Sequence, residues 1–363
     1  MSEQNRNQYR PDEVSAPGET LLETLETIGM SQVELAERTG KSNKTINEIV
    51  KGKAAITPDT ALQLERVLGI PAGFWNNRER DYHEALARTE ETNRLEKLLS
   101  WVDRFPIEAM AKRKWIQRPN DKLQQLQELL NFFGVASPEQ WDEMWSAGRV
   151  AFRRSTAFEM WPEAVAAWLR KGELTAQNVD CLPYESTGFR TLLQKIRGLT
   201  FEQPQVFPAR LQKWCSQVGV AVVFVHELPR TRVFGVTRWL SPHKALIQLS
   251  LLYKSDDQLW FSFFHEAAHI LLHGKRQMFI EEADAKGEEE KQADAFAADI
   301  LIPRQELRSF LTSTQRPSKA AIRSFAQRIG IAPGIVVGRL QHDGYLPFTF
   351  CNGLKQRYRW VED

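Results

Sequence analysis

Residues 265–269 read His-Glu-Ala-Ala-His, set inside the apolar run Phe261-Ser-Phe-Phe-His-Glu-Ala-Ala-His-Ile-Leu-Leu272. If the run is helical, His265 and His269 lie one turn apart on one face, about 5–6 Å from each other. Two imidazoles so placed can close on one tetrahedral Zn2+ ion at about 2.0–2.1 Å. Glu266, beside the first of them, can then take the proton of a water polarised by the metal. Packing alone asks for none of these polar residues on a helix otherwise built from Phe, Ala, Ile and Leu. The competing reading is two core histidines and a stray acid.

A hydrolytic zinc site needs a third protein ligand and an open fourth position. His273 on an unbroken helix would sit about 12 Å along the axis from His265, too far to share its metal. With Gly274 behind it, His273 reads as the last helical turn, where it complements the dipole. The acids that follow are Glu281, Glu282, Asp284, Glu288, Glu289 and Glu290, most of them a solvated charge run. Glu290 differs because it opens a second amphipathic segment running to Pro303, on the edge of a stripe formed by Ala293, Phe296, Ala297, Ile300 and Leu301. It is the candidate third ligand, against a plain role as helix N-terminal charge. Asp294, one turn on, could hold a ligand imidazole through its other ring nitrogen and fix its tautomer.

Together, His265-Glu-Ala-Ala-His-Ile-Leu-Leu-His-Gly274 and Glu290-Lys-Gln-Ala-Asp-Ala-Phe-Ala-Ala-Asp-Ile-Leu-Ile-Pro303 resemble the ImmA/IrrE family of metallopeptidases, over roughly residues 190–350. The resemblance implies a zincin-like domain with endopeptidase activity, often directed at a transcriptional repressor. Carried over position by position, it makes His265, His269 and Glu290 the metal ligands and Glu266 the general base. The family usually has Asn where this chain has Asp294. His243, Tyr253 and Tyr345 are candidates for stabilising the oxyanion.

Nearer the start, Ser31-Gln-Val-Glu-Leu-Ala-Glu-Arg-Thr-Gly40 opens with a Ser-x-x-Glu pattern in which Ser31 and Glu34 are expected to satisfy each other's end donors. Gly40 permits the positive φ of a tight turn. Ser42 then caps a helix over Asn43–Val50 with Ile46, Ile49 and Val50 on one face. Thr57-Pro58 begins a third helix carrying Ala61, Leu62, Leu64 and Val67. Two short helices joined by a glycine turn match a helix-turn-helix, whose second helix enters the major groove by its amino end. Asn43, Lys44 and Asn47 on its outer face are types that bond base edges. Lys51 and Lys53, with Arg38 and Lys41, suit phosphates, and Gln32 is placed as a further phosphate contact. A helical bundle that packs without touching DNA is the competing reading.

The wording of Met30–Gly40, Lys51–Pro58 and Leu68-Gly-Ile-Pro-Ala-Gly-Phe-Trp75 resembles the HigA-type antitoxins over about residues 20–88. That resemblance implies binding to operator DNA as a homodimer, and a toxin partner.

The rest of the chain sets bounds. With 363 residues it suits two or three domains. The net charge of +2 selects no class of partner, since basic and acidic stretches cancel. Cys181, Cys215 and Cys351 show no metal or redox spacing and read as reduced thiols of a cytoplasmic protein. The polar start is no signal peptide, and no apolar run approaches the roughly 20 residues that span a bilayer. The eleven tryptophans read as core anchors. Val218–Val225, Arg232–Arg238 and Ala245–Ser250 are β-rich runs that predict a small antiparallel sheet just before the metal helix. Its last strand could bind an extended peptide by strand addition. The helix-turn-helix rhythm of Ser324–Leu340 is read as packing within the protease domain.

The expected fold is α+β: a polar arm (1–19), an all-α helix-turn-helix domain (20–88), a helical middle segment of unassigned role (89–200) and a zincin-like domain (201–363). The expected function is a DNA-binding regulator fused to a zinc-dependent endopeptidase that cleaves a repressor or other regulatory protein in a stress or toxin–antitoxin response. The alternative is a non-cleaving antitoxin or repressor whose metal domain senses a ligand or binds a toxin.

Overall fold

The computed structural model describes residues 15–152, 161–274, 279–281, 287–314 and 317–360. Residues 1–14 of the expected polar arm, and Glu282 and Asp284 among the candidate acids, lie outside them. The chain divides into two compact units with the break between Leu99 and Ser100.

In the first unit, α1 (Pro17–Ile28), α2 (Gln32–Thr39), α3 (Asn43–Val50), α4 (Pro58–Leu68) and α5 (Ala72–Leu95) follow one another through tight turns. Their starts are set by side-chain caps. Ser31 accepts from the Glu34 N–H at 3.1 Å, Ser42 from Thr45 at 3.0 Å and Thr57 from Thr60 at 3.3 Å. The expected return bond of the first cap is replaced: the Glu34 carboxylate accepts from Arg38 at 2.6 Å, a charged donor one turn along. Gly40 makes the α2–α3 turn at φ 71°. Leu21, Leu25, Leu35, Ile46, Ile49, Leu64 and Trp75 form the core. Leu62, expected inside, is 47% exposed, because the inward stripe of α4 takes Ala61 and Leu64 and leaves the position between them facing out. A Cβ on Gly18 would overlap the Ile49 carbonyl, so α1 can lie on α3 only with glycine there.

The second unit begins with α6 (Ile107–Lys112), α7 (Lys122–Phe133), α8 (Pro138–Phe152), α9 (Pro162–Gln177), α10 (Ser186–Ile196) and α11 (Phe207–Ser216). Then come β1 (Val220–Phe224), β2 (Gly235–Ser241), β3 (Lys244–Leu249), α12 (Asp256–Leu272) and β4 (Phe279–Glu281). They are followed by α13 (Glu288–Leu301), α14 (Arg304–Ser313), α15 (Lys319–Ile329) and α16 (Pro333–His342).

The strand order is β1-β3-β2-β4. β2 pairs antiparallel with β3, as a short hairpin dictates, and antiparallel with β4, but β1 pairs parallel with β3, with Val222 opposite Ile247. The sheet is therefore mixed rather than antiparallel. β3 inserts between β1 and β2, so the strand expected to accept a peptide has both edges occupied. β2 also starts three residues later than the sequence suggests, since Arg230 and Arg232 take positive φ and the chain is still turning there.

Alternation along the strands buries both faces of the sheet. Val220, Val222, Ala245 and Ile247 face Trp260, Phe263, Phe264 and Ala267 of α12. Ala221, Val223, Val236 and Leu246 face Val165, Trp168 and Leu169 of α9. The middle segment thus supplies the layer that covers the back of the sheet. Within the same segment, ahead of α9, Trp101, Phe105, Phe133 and Trp141 pack with ring centroids 4.5–5.7 Å apart. α15 and α16 bury Ile322, Phe325, Val336 and Val337 in the α12 side of the core, in keeping with packing.

The start of α12 is held tightly. The Asp256 carboxylate lies against Gly334 and that of Asp257 against Gly338, so close that a Cβ on either glycine would overlap it. Residues beyond α16 complete the clamp. Lys355 Nζ meets Asp257 Oδ2 at 2.6 Å, the Asp256 N–H donates to Gln356 O at 3.0 Å and the Tyr358 N–H to Lys254 O at 2.8 Å.

Burial outweighs the backbone N–H groups around Asp256 and pushes its carboxyl up to about 7. The folded state therefore holds a proton that the unfolded chain releases near pH 4, and stability falls as pH rises from about 4 through about 7. Asp256→Asn should match the wild type near pH 4 and exceed it near pH 8, by on the order of 4 kcal/mol at about 1.4 kcal/mol per unit of displacement. Denaturant unfolding at both pH values, read by tryptophan fluorescence, checks this. Ten of the eleven tryptophans lie beyond residue 99, so the signal reports on the second unit.

Candidate metal centre

α12 is long enough to place His265 and His269 one turn apart, and both rings are buried where it faces α13. α13 starts at Glu288 and brings Glu290 to the same point. His265 Nε2 is 3.0 Å from His269 Nε2 and 3.0 Å from Glu290 Oε2, and the remaining edge, His269 Nε2 to Glu290 Oε2, is 3.6 Å. Ligands about 2.0–2.1 Å from a tetrahedral metal are separated by roughly 3.3 Å. The triangle brackets that spacing, so the three atoms fit one face of a tetrahedral ion. Among the described residues, this is the group of His, Cys, Asp and Glu side chains that could hold a metal.

The ring nitrogens that face away from the triangle also have partners. His265 Nδ1 lies 2.9 Å from Asp294 Oδ1. A carboxylate only accepts, so the proton of neutral His265 sits on Nδ1 and Nε2 keeps its lone pair for the triangle. His269 Nδ1 lies 2.9 Å from His273 Nδ1. His273 is the residue at which α12 stops, in an extended conformation, and its backbone N–H still donates to His269 O at 3.1 Å. Sequence reading placed His273 at the helix end and gave it no part in the site. The i+4 spacing from His269 was the signal that could have found the contact.

The local electrostatics favour a cation. Burial alone would raise the Glu290 carboxyl, but the His265 and His269 rings beside it outweigh that and bring it down to about 2. Burial lowers His269 despite the opposing pull of Glu290. The site therefore holds a carboxylate and favours neutral imidazole at His269, the forms in which these residues ligate metals.

Glu266 is fully buried, and its backbone carbonyl accepts from Thr237 Oγ1 at 2.9 Å. The side chain lies beneath the first residue of β2: a Cβ on Gly235 would come within 2.7 Å of Glu266 Oε1 and 2.8 Å of its Cγ. This close approach was not apparent from the sequence. A cavity of about 960 Å³ opens on the triangle, lined by His265, Glu290 and Asp294 and, further out, by Phe261, Tyr253 and Tyr345. Both tyrosines named from the sequence thus reach this cavity, while His243 lies in the β2–β3 turn and is not among its lining residues.

In the first unit, Asn43, Lys44 and Asn47 are exposed on α3 and Gln32 is half-buried at the start of α2. Arg38 pairs with Glu34, Lys41 with Asp59 and Lys44, at 3.8 Å, with Glu48. Lys51 and Lys53 project into solvent just after α3.

Comparison with known proteins agrees with this division. Residues 21–75 match the helix-turn-helix family, and residues 233–341 match the IrrE N-terminal-like domain, a peptidase family. The chain is 31% identical over 85 residues to an uncharacterized HTH-type transcriptional regulator, YddM, of Escherichia coli, covering 23% of this chain and 90% of that protein. It is 40% identical over 76 residues to virulence-associated protein I of Dichelobacter nodosus, covering 21% and 70%. Among solved structures, the Pseudomonas aeruginosa antitoxin HigA with the higBA promoter is 31% identical, with 23% of this chain and 94% of that one covered and a TM-score of 0.22. The chain belongs to the helix-turn-helix family of transcriptional regulators through its first unit. Its second unit carries an IrrE N-terminal-like domain of the peptidase type. No helix among the described residues is long and apolar enough to cross a membrane.

Gly235→Ala forces the Glu266 side chain or β2 to shift and should cost about 1–3 kcal/mol. Gly353→Ala, where a Cβ meets nothing within 4 Å, is the control. Thermal melting of the two metal-free variants beside the wild type gives the comparison.

Proposed function

We propose that this protein joins an operator-binding domain to a zinc-dependent endopeptidase that cleaves a regulatory protein, such as a repressor. The observation that carries the reading is the triangle of His265, His269 and Glu290 with Glu266 next in chain to its first corner. A zinc ion held there would supply Lewis acidity for a scissile carbonyl and acidify a water. The Glu266 carboxylate would take the proton of that water and return it to the leaving amine. Burial keeps Glu266 out of bulk solvent, and Gly235 leaves it room. Asp294 holds the His265 ring in its working tautomer. The cavity beside the triangle gives an extended peptide space to lie against Phe261, Tyr253 and Tyr345.

For the first unit, the exposed Asn43, Lys44 and Asn47 would read base edges while Lys51, Lys53 and Gln32 hold phosphates. By kinship with the antitoxins, a homodimer on its own promoter and a toxin partner are part of the reading.

Purified protein should hold one zinc per chain, and His265→Ala, His269→Ala or Glu290→Ala should each lose most of it by elemental analysis. Glu266→Gln should keep the metal and lose peptidase activity by about 100-fold or more. Mass spectrometry of candidate partners mixed with wild type or Glu266→Gln reads this. Equal processing by both, or no cleavage of any cognate partner, would leave a non-cleaving antitoxin or repressor as the function.

DNA binding should survive loss of the metal site. Asn43→Ala or Lys44→Ala should cost about 1–3 kcal/mol on the specific site and relax preference there. Lys51→Ala or Lys53→Ala should weaken binding to all sequences and reduce the salt slope by about one. Gel shifts on the protein's own upstream region test both, and binding unchanged in Asn43→Ala/Lys44→Ala would move the base-reading surface off α3.

A further inference from the structure

His265 and His269 are held in different ways. The first meets a carboxylate from α13; the second meets a third imidazole, His273, at 2.9 Å between the Nδ1 atoms. We propose that His273 is a positioning residue, which fixes His269 in the single tautomer able to offer Nε2 to a metal, and that Gln292 of α13 orients His273 in turn. This rests on the metal-site reading above.

The argument follows the protons. His273 Nε2 lies 3.4 Å from Gln292 Oε1. An amide oxygen only accepts, so neutral His273 carries its proton on Nε2 and presents a lone pair at Nδ1. The one proton shared between the two Nδ1 atoms then belongs to His269. That leaves His269 Nε2 unprotonated, facing His265 Nε2 at 3.0 Å and Glu290 Oε2 at 3.6 Å. The opposite direction would put the proton on His269 Nε2 and block the triangle.

The local fold serves this order. α12 ends at Leu272, and His273 leaves helical geometry with its ring 4.9 Å from that of His269, centroid to centroid. The Gln292 contact is the longer and more exposed link. It ties the end of α12 to the helix that supplies Glu290.

The test uses the full chain with His273→Ala, His273→Asn and Gln292→Leu. The Asn amide oxygen can take the place of the Nδ1 acceptor. Zinc affinity is read by competition with a chromogenic chelator, and the tautomer of His269 by long-range proton–nitrogen spectra of the metal-free, histidine-labelled protein. His273→Ala should weaken zinc binding by about 10–100-fold and move the His269 proton from Nδ1 towards Nε2. His273→Asn should return affinity to within about threefold of wild type. Gln292→Leu should give a smaller shift of the same sign.

Equal losses in the Ala and Asn variants would make His273 a packing residue and overturn the proposal. So would a His269 tautomer that is the same in wild type and His273→Ala. If the wild type bound no zinc, the metal reading would fail, while the metal-free spectra would still decide the tautomer.

Discussion

α12 is enclosed by the sheet on one side and by α13, α16 and the clamp of residues 355–358 on others, so every polar residue on it except Gln258 is buried. A buried polar group is costly unless the surrounding fold supplies a partner. The arrangement of the second unit follows from that requirement. α13 must approach closely enough to deliver Glu290 and Asp294, α12 must end where His273 can turn back on His269, and β2 must begin with a residue that has no side chain to collide with Glu266. At the other end of the same helix, Asp256 and Asp257 require glycines on α16 and a lysine beyond it. A helix buried largely through its apolar side chains is thus fixed in place by its polar positions.

The features legible in the sequence were those set by local chemistry. The caps at Ser31, Ser42 and Thr57, the turn at Gly40, and the spacing of His265, His269, Glu290 and Asp294 depend on residues a few positions apart, or on two adjacent amphipathic helices. The features that were not legible depend on partners distant in the chain. The parallel pairing of β1 with β3 arises because β3 inserts between β1 and its successor. Gly235 opposes a residue 31 positions later, and Lys355 meets an aspartate 98 positions earlier. Leu62 shows the limit of composition: an apolar residue on an amphipathic helix still points outward when its angle is wrong.

The middle helices carried no motif, and their part emerged only from packing. The run Val220-Ala-Val-Val already hinted at a strand covered on both sides. Nothing local said that Trp168 and Leu169, more than fifty residues upstream, would be the cover.

That cover bears on how the protein can be cut. A recombinant fragment beginning at β2 would retain every metal-site side chain, yet it would lack both β1 and α9. The backbone edge of β3 would be unpaired and ready to recruit strands from other molecules, and Val236 and Leu246 would form part of a sticky apolar plate. Such a fragment would aggregate during expression, and its insolubility would say nothing about the chemistry of the site. The smallest piece that can stay monomeric and soluble on its own must reach back through α9, into a stretch that carries no recognisable signature of its own.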